Sequence, residues 1–277
     1  MSIDIHNLSV TYRRGLMGRG EPFRALQDVT LRVPNGSVMG IVGESGSGKS
    51  TLGRVILRLL RPSAGQVRIN GRDPFAADDT GFRRNVQAVF QDSGASLNPR
   101  RSVGASIREG LDIHKIGTPK ERDEKVAELL ERVGLSAAYA SRMPHTLSGG
   151  QRQRVNIARA VALEPKILVA DEPVSALDTS VQTQVLELLA DLRAKTGMTM
   201  IFISHDLSVV REICDHAAIM HRGQLVETGE IDAIFDRPSH PVTQALMRDM
   251  PRIDLSLTDL PPLPFMKTQM TGMTYVS

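Results

Sequence analysis

The sequence predicts an α/β fold: a mostly parallel sheet covered on both faces, with an antiparallel β layer at the N-terminal end and a helical insertion in the middle. Three observations carry this. Short and almost wholly apolar runs, VMGIVG (38–43), ILVAD (167–171) and MIFIS (200–204), read as strands buried on both faces, as parallel strands are. Two of them are followed by apolar residues at helical spacing. These are Leu52, Val55, Ile56, Leu59 and Leu60 after the first, and Val181, Val185, Leu188, Leu189 and Leu192, ahead of Gly197, after the second. Such alternation of strand and helix implies α/β architecture. The first strand and its helix are joined by the glycine-crowded stretch GESGSGKST (43–51).

The first 37 residues differ in character. SIDIHNLSV and ALQDVTLRV are short, turn-punctuated strand candidates that suit an antiparallel layer. Between Asp92 and Pro165 the β signal fades into stretches such as KERDEKVAELLERVG, which predicts a helical subdomain over about 92–165. LSVVREICDHA reads as helical, with Val209, Val210 and Ile213 apolar and Cys214 a small buried residue rather than a redox centre. After Asp236 the chain is richer in Pro and Met, and an irregular course is expected. LPPLPF (260–265) suits neither a helix nor a central strand. No internal repeat is visible. The expected division is a main domain over 1–235 and a C-terminal extension over 236–277.

Composition narrows the functional classes. The 277 residues suit one large or two small domains. Lys and Arg number 34 against 31 Asp and Glu, and a net charge of +3 does not argue for a chain that coats nucleic acid. A single Cys excludes an intrachain disulfide framework and any Cys-rich metal or iron-sulfur site within the chain. No run of about 18 apolar residues occurs, and MSIDIHNLSV lacks the basic-then-apolar order of a secretory leader, so neither a membrane span nor an export signal is expected.

Four motifs carry chemistry. GESGSGKST satisfies G-x-x-x-x-G-K-[ST] through Gly43, Gly48, Lys49 and Ser50, and lies between a buried strand and an amphipathic helix, as a phosphate loop must. Backbone N–H groups of such a loop wrap an anion, the helix N-terminus adds its dipole, Lys49 reaches the β/γ phosphates, and the Ser50 hydroxyl can ligate Mg2+. A bare glycine turn is the disfavoured alternative in this context. ILVADEP ends a buried strand in Asp171 and Glu172, two carboxylates at the carboxyl edge of the sheet. By position, Asp171 is assigned to the metal and Glu172 to general-base catalysis; alone, the pair could equally cap the next helix. MIFIS delivers His205 to the same edge, where a neutral imidazole can sense a γ-phosphate. LSGGQ (147–151) sets Ser148, Gly149, Gly150 and Gln151 before the helix-like RQRVNIARAVA, on which Val155, Ala158 and Ala162 share a face. This is a second candidate anion site at a helix N-terminus, and two half-sites on one chain suggest completion by a second copy or a relative, head to tail.

With these motifs in this order, residues 3–235 resemble the nucleotide-binding subunits of ATP-binding cassette (ABC) transporters. The resemblance implies a P-loop NTPase (ABC-type ATPase) core, with ATP and Mg2+ as ligands. It also implies a sandwich dimer in which Gly43, Glu44, Ser45, Gly46, Ser47, Gly48, Lys49, Ser50 and Thr51 of one subunit and Ser148–Gln151 of the other enclose each nucleotide. Tyr12 resembles the aromatic that stacks on adenine; packing in the core is its alternative. Gln91 in VFQD resembles the glutamine that touches magnesium and the attacking water, Asp178 in SALD the loop that crosses the dimer, and His205 the switch histidine.

A narrower resemblance, to the oligopeptide and dipeptide importer branch, rests on FQDSGASLNPR (90–100) and HPVTQAL (240–246). Ser93 and Gly94 stand where that branch usually has Pro and an aromatic, and Val242 where Tyr is common. The branch implies a homo- or heterodimer with a second ABC ATPase, two transmembrane permease subunits and an extracytoplasmic solute-binding protein. It implies a peripheral place on the cytoplasmic face of the inner membrane and no nucleic acid partner. Nickel, glutathione, opine and sugar-oligomer importers share the branch, so the solute stays open. The alternatives are an exporter's cassette, or a soluble ABC ATPase acting on nucleic acid or ribosomes. The interval between phosphate loop and signature has neither the heptads nor the zinc-binding cysteines of DNA-repair relatives, and the chain has one cassette where translation-associated relatives usually have two.

Overall fold

The computed structural model describes residues 1–13, 21–76, 80–91, 96–175 and 177–248. Two sheets form. The smaller is antiparallel, in the order β2 (Pro22–Val33), β1 (Ile3–Arg13), β4 (Ala64–Ile69). The larger runs β5 (Val86–Val89), β6 (Ile167–Asp171), β7 (Thr199–Ser204), β3 (Val38–Val42), β8 (His216–His221), β9 (Gln224–Glu230). Its first five strands are parallel and β9 closes the edge as an antiparallel hairpin with β8. The expected antiparallel layer and parallel core are both present, and β4 joins the layer from beyond the first 37 residues.

Period-two alternation along the central strands divides the core. On β7, Met200 and Phe202 point to one apolar cluster and Ile201 and Ile203 to the other. The second cluster is built with Ile3, Ile5 and Leu8 of β1 and with Leu52, Val55 and Ile56 of α1 (Lys49–Ile56). The first collects the helical face: Val155 and Ala158 of α5 (Gly149–Val161), Val185 and Leu189 of α6 (Thr179–Thr196), and Val209 and Val210 of α7 (Leu207–Ile213). Cys214 is buried beside it, and burial pushes its thiol pKa well up, which keeps it a protonated apolar filler.

Between β5 and β6 lies the helical subdomain. α2 (Thr80–Asn85) precedes β5; α3 (Val103–Ile113), α4 (Pro119–Arg132), two short 3-10 turns (Ala137–Ser141 and Pro144–Thr146) and α5 follow it. Thr118 and Glu121 close a capping box ahead of α4, and Val126, Leu129 and Leu130 form its buried face. Leu97 of the SLNPR stretch is buried in the same core, and the Arg159 guanidinium of α5 donates to the Ser96 carbonyl at 2.5 Å.

Two expectations are corrected. Leu59 and Leu60 lie beyond α1, and Leu59 is 64% exposed. The helix ends in a Schellman arrangement, with Arg58 left-handed at φ 58 and Leu59 N–H donating to the Arg54 carbonyl at 2.9 Å. Nor is the chain after Asp236 irregular throughout: α8 (Ile231–Asp236) is followed by α9 (Pro241–Arg248), whose Val242, Leu246 and Met247 pack on the core. LPPLPF lies outside the described residues.

The chain just before α9 is pinned by Glu227 of β9. Its carboxylate accepts from Ser239 N–H at 2.8 Å, Ser239 Oγ at 2.7 Å and His240 N–H at 3.0 Å. Burial alone would raise its pKa, but the adjacent Thr243 hydroxyl, although its geometry is loose, and the Ser239 and His240 donors together hold it at about 2. A depressed carboxylate stabilises the fold above its ordinary pKa of 4.5 and loses that contribution as pH falls through the folded value. Glu227→Gln is therefore expected to cost about 1 kcal/mol at pH 7 after solvent screening. Urea unfolding should give a gap between variant and wild type that is constant at neutral pH and narrows below 4.5. A gap that is absent at neutral pH contradicts the anchor.

Candidate functional site

The carboxyl ends of β3, β6 and β7 meet at one edge of the sheet because their parallel register aligns Val42 with Ser204 and Asp171 with Ile203. The residues that follow these strands, Gly43, Glu172 and His205, therefore arrive together. They open onto a cavity of about 810 Å3 lined by Tyr12, Phe23, Ala25, the loop from Gly43 to Thr51 apart from Ser47, Gln91, Glu172, His205 and Leu246.

The loop that begins at Gly43 is shaped by close backbone approach. A Cβ on Gly43 would lie 2.1 Å from the Met220 carbonyl oxygen of β8. Gly48, at φ 106, would bring a Cβ to 2.6 Å from the Ala25 carbonyl. Only glycine fits either place, and the resulting wrap turns backbone N–H groups toward the start of α1. Lys49 is buried, and its ammonium donates to the Gly43 carbonyl at 2.6 Å and the Glu44 carbonyl at 2.8 Å. Burial lowers its pKa, opposed by the nearby carboxylates of Glu172, Asp171 and Glu44. An ammonium with two carbonyl partners keeps a third donor for an anionic oxygen, so the loop and its lysine fit a polyphosphate.

The carboxylates are held differently. Asp171 accepts from the Ser50 hydroxyl at 3.2 Å. Burial raises its pKa, the Ser50 hydrogen bond lowers it, and the neighbouring Glu172 charge raises it again. A cation beside Asp171 would relieve that burial. Among the described residues no group of three His, Cys, Asp or Glu side chains forms a metal cage. One half-buried carboxylate with a hydroxyl instead suits magnesium, which keeps several waters and takes further oxygens from substrate phosphates.

Glu172 sits at φ 47, a left-handed conformation that costs a non-glycine residue about 1–3 kcal/mol and persists only where surroundings enforce it. Here its N–H donates to the Ile203 carbonyl at 2.9 Å. Its two carboxylate oxygens are gripped separately: Oε2 accepts from Gln91 Nε2 at 2.9 Å, and Oε1 lies 3.1 Å from His205 Nδ1. Gln91 Nε2 also lies 3.5 Å from Ser175 Oγ, at the limit of a hydrogen bond. The expected metal-contacting glutamine thus meets Glu172 rather than Asp171.

Tyr12 faces Phe23 across the β1/β2 ladder, and both line the cavity. Phe23, Ala25, Ser175 and Leu246 were not foreseen. The first two follow from cross-strand pairing once the β layer is recognised; Leu246 arrives on α9 and has no local signal. Ser148, Gly149, Gly150 and Gln151 do not line this cavity. Ser148 caps α5, its hydroxyl accepting from Gln151 N–H at 3.3 Å while Gln151 Oε1 accepts from Ser148 N–H at 3.1 Å. Asp178 is also outside it and caps α6, accepting from Val181 N–H at 3.0 Å. Ser148–Gln151 thus form a separate element at the start of α5.

Residues 26–175 match the family model described as ABC transporter. The oligopeptide transport ATP-binding protein OppF of Streptococcus mutans is 43% identical over 261 residues, 91% of this chain and 82% of that protein. The oligopeptide transport ATP-binding protein AppF of Bacillus subtilis is 47% identical over 232 residues, 82% of this chain and 70% of that one. Among solved structures, the dimeric post-hydrolysis state of the ATP-binding cassette MJ0796 with ADP and Pi is similar at a TM-score of 0.75 and 31% identity, covering 83% of this chain and 98% of that one. With its phosphate loop, paired carboxylates and separate serine-glycine helix cap assembled on this fold, the chain belongs to the ABC transporter family.

Proposed function

We propose that this chain is the ATP-hydrolysing subunit of an importer for oligopeptides or a related small solute. The observation that carries the chemistry is the Gln91–Glu172–His205 cluster facing the Lys49 loop across one cavity. The import reading is supported by relatives named for oligopeptide transport over most of their length. The catalytic domain spans 1–235, with a helical subdomain over about 92–165 and a C-terminal extension over 236–277.

In this reading Tyr12 stacks on the adenine, and Gly43–Thr51 bind the triphosphate through backbone N–H groups and Lys49. Ser50 and Asp171 would hold magnesium, with Gln91 contributing its carboxamide oxygen while its Nε2 stays on Glu172. The ion, when bound, adds positive charge where negative charge develops on the γ-phosphate. Glu172 accepts the proton of the attacking water while Gln91 and His205 fix its carboxylate. Lys49 stabilises the oxygens that gain charge. Ser148–Gln151 and Asp178 complete the nucleotide site of a second, related ATPase subunit. ATP binding closes that dimer and hydrolysis opens it, and the helical subdomain passes the motion to two permeases served by an extracytoplasmic binding protein. Among the described residues no helix is long and apolar enough to cross a membrane. In this reading the permeases hold the subunit at the cytoplasmic face of the inner membrane.

Co-purification tests this reading. A tagged Glu172→Gln chain, captured with ATP from detergent-solubilised membranes, is expected to bring down a related ATPase and two membrane permeases, identified by mass spectrometry. Recovery of ribosomal or DNA-bound proteins without any membrane protein would leave the ATPase and remove the transport role.

A further inference from the structure

The Ser148–Gln151 turn is braced by a residue outside it. The capping box uses the Gln151 backbone N–H and Oε1, and leaves its carboxamide nitrogen. That Nε2 donates to the Tyr139 hydroxyl at 3.2 Å. Tyr139 belongs to the 3-10 turn Ala137–Ser141, and its half-buried ring packs against the helical core. The Arg142 guanidinium lies over that ring, 4.0 Å from its centroid. Arg142 is itself tied at both backbone groups: its N–H donates to the Tyr139 carbonyl at 3.0 Å, and its carbonyl accepts from Val103 N–H, the start of α3, at 2.9 Å.

Hydrogen bonds within the capping box fix Gln151 relative to Ser148, but they do not fix the turn relative to the rest of the subdomain. Ser148 and Gly149 are exposed, so water competes for this turn. The Tyr139 bond is a side-chain link from the box itself to the preceding segment, beside the Arg152 bond to the Leu147 carbonyl, and the stacked Arg142 restrains the ring that makes it. Tyr139 does not line the cavity of its own chain, so it does not act directly on the nucleotide bound there.

We propose that Tyr139, held by Arg142, is a positioning residue for ATP turnover: it orients the Gln151 carboxamide so that the 148–151 turn is pre-organised for the nucleotide bound by the second subunit. This rests on the reading that the turn completes the partner's site.

Tyr139→Phe tests it, because it keeps the ring, its packing and the stacked Arg142, and removes only the hydroxyl. In the transporter complex recovered as above, but with Glu172 intact, the variant is expected to lower kcat for ATP about fivefold, the weight of one ordinary hydrogen bond. Affinity of the purified full-length chain for a fluorescent ATP analogue and its thermal midpoint should stay at wild-type values. A merely structural role would move the midpoint instead. Arg142→Lys, which retains a cation over the ring, should keep most of the activity that Arg142→Ala loses. Gly149→Asp separates the two levels of the argument. If it leaves hydrolysis intact, completion of the partner's site by this turn fails and the brace falls with it. If it abolishes hydrolysis while Tyr139→Phe turns over at the wild-type rate, the brace alone is overturned.

Discussion

Glu172→Gln is expected to bind nucleotide with nearly unchanged affinity and to lose turnover by about 10²- to 10⁴-fold, the usual weight of a positioned general base. The substitution is nearly isosteric and keeps an oxygen able to accept from Gln91 Nε2, which now donates to Glu172 at 2.9 Å. It removes the capacity to take a proton, together with the negative charge that faces Lys49 and Asp171. The strained backbone at φ 47 is enforced by the Glu172 N–H bond to Ile203, which the side-chain change does not touch. Phosphate release under steady-state conditions, beside equilibrium binding of a nucleotide analogue, separates the two effects. Near-normal hydrolysis in the purified variant would sink the assignment of the base to this residue.

Lys49→Ala should act on the other parameter. Nucleotide affinity is expected to fall about 10- to 100-fold, since hydrogen bonds to charged groups contribute about 1.5–3 kcal/mol. The lysine is buried between the Gly43 and Glu44 carbonyls, so its ammonium is already placed and desolvated before substrate arrives. Lys49→Arg should rescue poorly, because a planar fork does not fit a position built for a compact cation. A titration showing wild-type affinity in a folded Lys49→Ala chain would count against the phosphate-loop reading.

Both predictions concern residues that local sequence exposed. A strand, a glycine loop and a helix in direct succession form one contiguous unit, so the Gly43–Thr51 loop was legible without any distant contact. Its helix was legible at its start and not at its end. The Schellman turn after Ile56 is made by Arg58 at φ 58, where glycine is the usual signal, and the apolar spacing of Leu59 and Leu60 continued past the true stop. α9 was missed for the converse reason. The Pro- and Met-rich composition after Asp236 suggested an irregular course, although proline is well suited to the first position of a helix, where Pro241 stands, and the anchor that docks the segment is Glu227 on a strand.

The sequence by itself determined the type of the elements it marked around the site, the parallel character of the central strands and the identity of the phosphate loop, because each depends on periodicity or on residues close together in the chain. The tertiary structure decided which of these residues meet. Gln91, Glu172 and His205 lie far apart in sequence and converge because β5, β6 and β7 pair in parallel, with a register that puts Val89 beside Ala170 and Asp171 beside Ile203. It also decided that Phe23 and Leu246 line the cavity, and that Ser148–Gln151, though carried by the same chain, stand away from it. Parallel strands are joined only through long crossovers, so their partners and register are fixed by burial of both sheet faces rather than by any local pattern.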